Sequence, residues 1–210
     1  MNIIRNRAQE QFPTVLLTLL SIVQALALEL LWEHIQESEY LFQATAQAFV
    51  SWAQISTTLF GIILIWVAYA SHAMRFRWTP STADSVYPFI IGLLEFIQIE
   101  TLAPGMVGQW TVILAIILGI MVFVSHLIMR RARTSGANGD FFTKTNPATA
   151  KDFFAQITIV ILLLLGGSYV WLSDNNGIIS YLLIGAVFMV LVWQYISSAR
   201  FWNSSLSDSQ

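Results

Sequence analysis

Six apolar stretches dominate this chain, at residues 13–35, 46–74, 86–102, 106–129, 153–172 and 177–198. A helix needs about 20 mostly apolar residues to cross the hydrocarbon core of a bilayer. Five of the stretches meet that length, and the third, shorter and more polar, comes close. The expectation is an all-α integral membrane protein of six transmembrane helices. Charge supports this: only 10% of the residues are charged and 56% are hydrophobic, whereas soluble domains carry about 25% charged residues. So few charges could not cover a soluble surface of this size, but lipid solvates an apolar exterior.

The basic residues set an orientation. Arg5 and Arg7 precede the first stretch, and Arg75 and Arg77 follow the second. Arg130, Arg131, Arg133, Lys144 and Lys151 separate the fourth from the fifth, and Arg200 ends the sixth; these are all 10 Lys and Arg. Six crossings put every one of them on one side, which the positive-inside rule makes the cytoplasm. Both termini are then cytoplasmic, and a bacterial inner membrane is the expected location. The opposite loops carry Glu37, Glu39 and Asp174. Arg5, Arg7 and Ala25-Leu26-Ala27 have the ingredients of a secretory signal, but the apolar run continues past Ala27, so it reads as a retained first span. Residues 1–202 form one domain, 133–151 a mobile cytoplasmic loop rich in Ser and Gly, and 203–210 a disordered tail. A net charge of −2 without a basic aromatic patch excludes a nucleic-acid partner. The absence of Cys excludes disulfides, thiolate metal sites and a cysteine nucleophile.

Internal matches point to a degenerate threefold repeat. Gly61-Ile62-Ile63-Leu64 and Tyr69-Ala70-Ser71-His72 align without a gap to Ala115-Ile116-Ile117-Leu118 and Phe123-Val124-Ser125-His126. Tyr195-Ile196-Ser197-Ser198 is a weaker third copy, and Thr79-Pro80-Ser81-Thr82-Ala83 matches Asn146-Pro147-Ala148-Thr149-Ala150. Leu19-Leu20-Ser21-Ile22-Val23-Gln24 is similar to Leu93-Leu94-Glu95-Phe96-Ile97-Gln98. One scheme accommodates all of these: three tandem helical hairpins, about 13–75, 86–131 and 153–200, each entered from the cytoplasm. Glu10, Asp84 and Asp152 stand near the hairpin starts and Arg75, Arg130 and Arg200 near the ends, signs that suit the helix dipoles.

Polar residues inside lipid are costly and face protein or water. Thr14, Thr18, Ser21 and Gln24 share a face of the first helix, and Gln47, Ser51, Gln54, Thr58 and Gly61 a face of the second. Gly92, Glu95 and Gln98 share a face of the third, whereas the fifth is nearly bare of polarity. The expected polar path therefore lies on the first three helices, with Gly108, Ala115 and Gly119 supplying close contacts in the remaining scaffold. Glu95 is the sharpest feature. Nine residues from Val86, at about 1.5 Å each, set it roughly 13 Å deep, where burial favours the neutral carboxyl.

Small cation or proton transport is the leading expectation, with Gln24, Gln54, Glu95, Gln98 and Ser21 along the path. Glu29, Glu33 and Glu100 form an acidic outer mouth that concentrates monovalent cations. Six helices leave little room for a wide pore, so a homo-oligomer or a membrane partner subunit is expected. The alternative is a non-catalytic scaffold whose polar stripes hold helices and partners together, with Arg130–Arg133 on anionic headgroups. A weaker alternative is a haem or quinone protein using His72 and His126. Trp32, Trp52, Trp110 and Trp171 read as an interfacial belt. The sequence contains no nucleophile elbow, phosphate loop or HExxH, so neither an enzyme nor a resident cofactor is expected.

Overall fold

A computed structural model describes residues 3–103, 105–142, 146–173 and 177–207. Among these residues there is no strand. Six long helices, all apolar enough to cross a membrane, make the chain an integral membrane protein. They are α1 (Ile3–Glu37), α2 (Ala46–Arg75), α3 (Thr82–Glu100), α4 (Val107–Thr134), α5 (Phe154–Ser173) and α6 (Ile178–Ser207). Large apolar side chains of α5 and α6, among them Leu162, Leu165, Leu182 and Met189, are exposed and present a surface suited to lipid.

The helices outrun the hydropathy. α1 starts ten residues before the apolar stretch and carries Pro13 within it. Glu10 is therefore no first-turn acid, and Arg200 stands seven residues short of the end of α6. α6 also runs through Ser207, so most of the expected disordered tail is helical; residues 208–210 lie outside the described residues, as do Lys144 and Asp174.

Contacts tie together one end of the bundle, which holds the arginines. Ser81 and Asp84 form a capping box at the start of α3, as Thr149 and Asp152 do before α5. Each box satisfies backbone N–H groups that a helix start leaves unpaired. The two caps stand one residue out of step with the Pro80/Pro147 match. The last turn of α4 reaches both: Arg131 donates to Asp84 at 2.7 Å and to Ser81 Oγ at 3.3 Å, and Arg133 to Asp152 at 3.1 Å. Asn138, buried, donates to the carbonyls of Arg77 and Ala132 and accepts from the Arg77 N–H. Phe142 stacks on Phe76. Residues 136–142 of the expected mobile loop are thus anchored, and Arg131 and Arg133 hold carboxylates of this chain.

Around the bundle, neighbours run α2, α1, α3, α4, α5, α6 and back to α2. The first hairpin is therefore laid down in the opposite sense to the other two, and no threefold rotation relates the three as whole units. The even-numbered helices also touch one another, which places α2, α4 and α6 around a common centre. α2 is the most buried of the six.

Small residues set the closest approach. A Cβ on Gly108 would stand 2.5 Å from the backbone N of Trp171, and one on Gly167 3.0 Å from Val112. A Cβ on Gly92 would collide with Val23. Gly119 faces Val160 and Ala115 is fully buried, so the three small residues singled out in α4 all sit at packed positions. Gly108→Ala should lower stability by about 1–3 kcal/mol through overpacking, and Gly185→Ala, with open space around it, should not; unfolding in detergent measures both, and equal effects would discredit the α4–α5 contact. Asp84 is 5% exposed against 33% for Asp152, so Arg131→Gln should lower the unfolding midpoint more than Arg133→Gln. The reverse order would overturn the assignment of the deeper clamp to Arg131.

Candidate functional site

The structure brings two of the expected path residues together. Gln24 Nε2 donates to both carboxyl oxygens of Glu95, at 2.8 and 3.1 Å. Gln24 is 5% exposed and Glu95 1%. α3 begins at Thr82, so Glu95 lies thirteen residues, about 20 Å, from that end and five residues, about 8 Å, from Glu100. It therefore sits between the middle of α3 and its acidic end. Close packing of Gly92 on Val23 seals the same contact. This is a buried α1–α3 junction in which the amide Nε2 donates to the carboxyl, while Gln24 Oε1 has no partner among the described residues.

The stripes do not converge on one channel. On α1, Thr14, Thr18 and Ser21 are exposed, and Ser21 Oγ accepts from the outward-facing Trp66 indole at 3.3 Å; only Gln24 of that stripe turns inward. The α2 stripe faces inward from Ser51 through Gln54 and Thr58 to Gly61 and meets α4, where buried Trp110 donates to Thr58 Oγ1 at 2.9 Å. Trp110 is thus a core residue and not part of the belt, whereas Trp32, Trp52 and Trp171 are exposed at the acidic end. Gln98 is buried one turn from Glu95. Glu29, Glu33 and Glu100 are exposed.

Two cavities lie elsewhere, at opposite ends of the seam between α2, α4 and α6. The acidic-end cavity, about 490 Å³, is lined by Gln47, Val50 and Ser51 of α2, Val107 of α4, and Ser180 and Tyr181 of α6. The basic-end cavity, about 410 Å³, receives Ser71 and His72 from α2, Ser125 from α4, Gln156 from α5, and Gln194 and Ser197 from α6; Arg133, Asp152 and Ser198 border it too. Ser71, Ser125 and Ser197 are the serines aligned by the internal matches. Between the cavities Gly61, Leu64, Leu118 and Leu191 leave a void of about 10 Å³, at or below the roughly 10–15 Å³ a single water requires. The seam has the profile of an hourglass closed at its waist.

Sequence reasoning missed this arrangement because the polar residues of α4, α5 and α6 are isolated. No stripe announces Ser125, Gln156 or Gln194; the one available signal was the recurrence of Ser71, Ser125 and Ser197. Neither cavity is lined by Gln24, Gln54, Glu95, Gln98 or Ser21. His72 Nδ1 lies 2.6 Å from the Ala68 carbonyl and His126 packs edge-on against Phe153. His72 lines the basic-end cavity and His126 does not. Among the described residues no group of three or more His, Cys, Asp or Glu could hold a metal ion.

The class defined by the fold is a six-helix integral membrane protein with cavities at both ends of a central seam. Comparison with known proteins finds no matching family model, no similar curated protein and no similar solved structure.

A junction in which Gln24 and Glu95 serve each other predicts coupling between them. In a double-mutant cycle with Gln24→Ala and Glu95→Ala, unfolding in detergent should give an interaction of about 1–2 kcal/mol. A value near zero would remove the junction as a source of stability.

Proposed function

We propose that this protein is a channel or transporter for a small solute and that the path follows the seam between α2, α4 and α6. The observation that carries this reading is the pair of cavities at the two ends of one seam, separated by a dry apolar waist. Polar cavities of 300–1,000 Å³ are the size that holds small ligands. A helix bundle that carries a solute across a membrane without a leak needs access at each end and closure between them. Passage would require Leu64, Leu118 and Leu191 to part, by movement of the even-numbered helices against one another.

The clustering of arginines at one end supports a cytoplasmic basic end with both termini inside, as in a bacterial inner membrane. The convergence of Ser71, Ser125 and Ser197 on one cavity supports a repeat carried by the even-numbered helices. In its cation or proton form, this reading draws on exposed Glu29, Glu33 and Glu100 as an outer mouth and on Glu95 within, though these carboxylates lie outside the linings of both cavities. A second reading, a non-catalytic membrane subunit, is favoured by the sealed Gln24–Glu95 pair, which behaves as helix glue. A homo-oligomer or a partner chain is compatible with both.

The chain has no Cys, so single thiols can be introduced without altering the background. A small membrane-impermeant methanethiosulfonate should modify Ser51→Cys from the outer face and Ser125→Cys from the cytoplasmic face in oriented proteoliposomes. Leu118→Cys should resist from both. If neither cavity thiol reacts in the bilayer while both react after unfolding, the seam is not a path and the scaffold reading takes its place.

A further inference from the structure

The acidic-end cavity continues into a second hollow on the lipid side of the bundle. Val50 and Tyr181 line both. This hollow, about 370 Å³, is a groove between α2 and α6. On α6 it follows one helix face, from Tyr181 through Gly185 to Phe188. On α2 it runs from Phe49 to Thr57. Small residues make it: Ala53 and Ser56 on α2 and Gly185 on α6 leave space that larger side chains would fill. A Cβ on Gly185 would meet nothing within 4 Å. Thr57 donates its hydroxyl to the Ala53 carbonyl at 2.6 Å, so its polarity is spent inside its own helix. Phe49, Tyr181 and Phe188 are 73%, 43% and 44% exposed, and the groove opens sideways toward lipid.

Polarity changes along these hollows at a definite depth. α2 has 30 residues, about 45 Å, the thickness of a bilayer with its headgroups. Ser51 lies five residues, about 8 Å, in from Ala46. It therefore falls where headgroups give way to hydrocarbon. Ser51 lines the acidic-end cavity and is 1% exposed, and its Oγ has no hydrogen-bond partner among the described residues. Buried hydroxyls in native proteins are nearly always paired, because an unmatched one keeps its full desolvation cost. Tyr181, an apolar ring with a polar tip, lines the same junction, as aromatic residues do at a membrane interface.

The two hollows together match an amphiphile: a polar end with an unused hydroxyl, and an apolar channel open to the bilayer. Length tells against a helix as the occupant. A spanning helix follows its neighbour across about 30 Å of hydrocarbon, whereas this groove covers seven residues of α6, about 10 Å. It ends at Phe188, whose ring centroid lies 6.1 Å from that of Phe60. A flexible lipid chain needs no longer seat.

We propose that this flank of α2 and α6 binds a glycerolipid of the leaflet at the acidic end. One acyl chain lies in the groove over Gly185, and its ester carbonyl accepts from the Ser51 hydroxyl. Bulk lipid is as apolar as the groove, so the preference comes from packing the groove and from that hydrogen bond. The site stands whether or not the seam is a path.

The test uses the full chain in phosphatidylcholine vesicles that contain a small fraction of phosphatidylcholine with a diazirine on one acyl chain. Mass spectrometry after irradiation maps the label. For the native protein we expect labelling of the groove residues about fivefold above that of Leu162 and Leu165, exposed residues of α5 outside the groove, a preference one hydrogen bond can supply. Ser51→Ala should lower it about threefold. Gly185→Phe fills the groove and should bring labelling down to the α5 level with a native unfolding midpoint. Ser56→Leu, which fills it from an exposed position of α2, should do the same and stands in if Gly185→Phe does not fold. Groove labelling no higher than that of α5 in the native protein, or undiminished in a folded filling variant, would overturn the site. Gly185→Cys tests the competing occupant in this cysteine-free chain. Disulfide-linked dimers in the vesicles would put a second copy in the groove and overturn the lipid; a monomer under oxidant supports it.

Discussion

Hydrocarbon offers no hydrogen bonds, so every polar group within the bilayer is either matched by protein or left unmatched. That constraint sorts the polar residues of this chain into two sets. Gln24 with Glu95 and Trp110 with Thr58 are matched across helix interfaces; they hold α1 to α3 and α4 to α2. Ser51 Oγ, both ends of the Gln54 amide and Gln24 Oε1 are buried without a partner among the described residues. Judged by sequence, both sets are polar residues on inward faces. Pairing is what identifies a contact that builds the bundle.

α4 is the strut through which this sorting is imposed. At its start Gly108 allows the backbone of α5 to approach, and Trp110 reaches α2. At its end Arg131 and Arg133 grasp the capping boxes before α3 and α5, and Asn138 just beyond ties it to the segment after α2. These arginines are structural: a guanidinium beside a buried capping carboxylate compensates a charge that would otherwise be costly to bury. With α4 fixed at both ends, α2 and α6 pack beside it and leave a cavity towards each end of the seam.

Much of the fold was legible. The six helices, their order and the gathering of arginines at one end follow from hydropathy and charge, and the inward α2 stripe from Ser51 to Gly61 was read correctly. The Gln24–Glu95 contact is of the kind the scaffold alternative foresees, in which polar stripes hold helices together. The α1 stripe was not read correctly: Thr14, Thr18 and Ser21 face outward, because hydroxyls bonded within their own helix, as Thr18 is to the Thr14 carbonyl, tolerate a lipid-facing position that an amide does not. Nor was the polarity of the last three helices legible. Ser125, Gln156 and Gln194 are lone polar residues in apolar runs, and spacing along one helix carries no information about convergence between helices.

By itself the sequence determined the number of long apolar helices, the gathering of arginines at one end and the sharpest buried acid. These are properties that a segment has against its solvent, and solvent acts on each segment separately. Only the tertiary structure decided that the first hairpin is laid down in reverse, that Glu95 closes on Gln24, and that the cavities belong to α2, α4 and α6. Those outcomes depend on which helices become neighbours and how each is rotated about its axis. Packing fixes both through small residues such as Gly92 and Gly108 and through clamps such as Arg131 on Asp84, whose partners lie 47 residues apart in the chain.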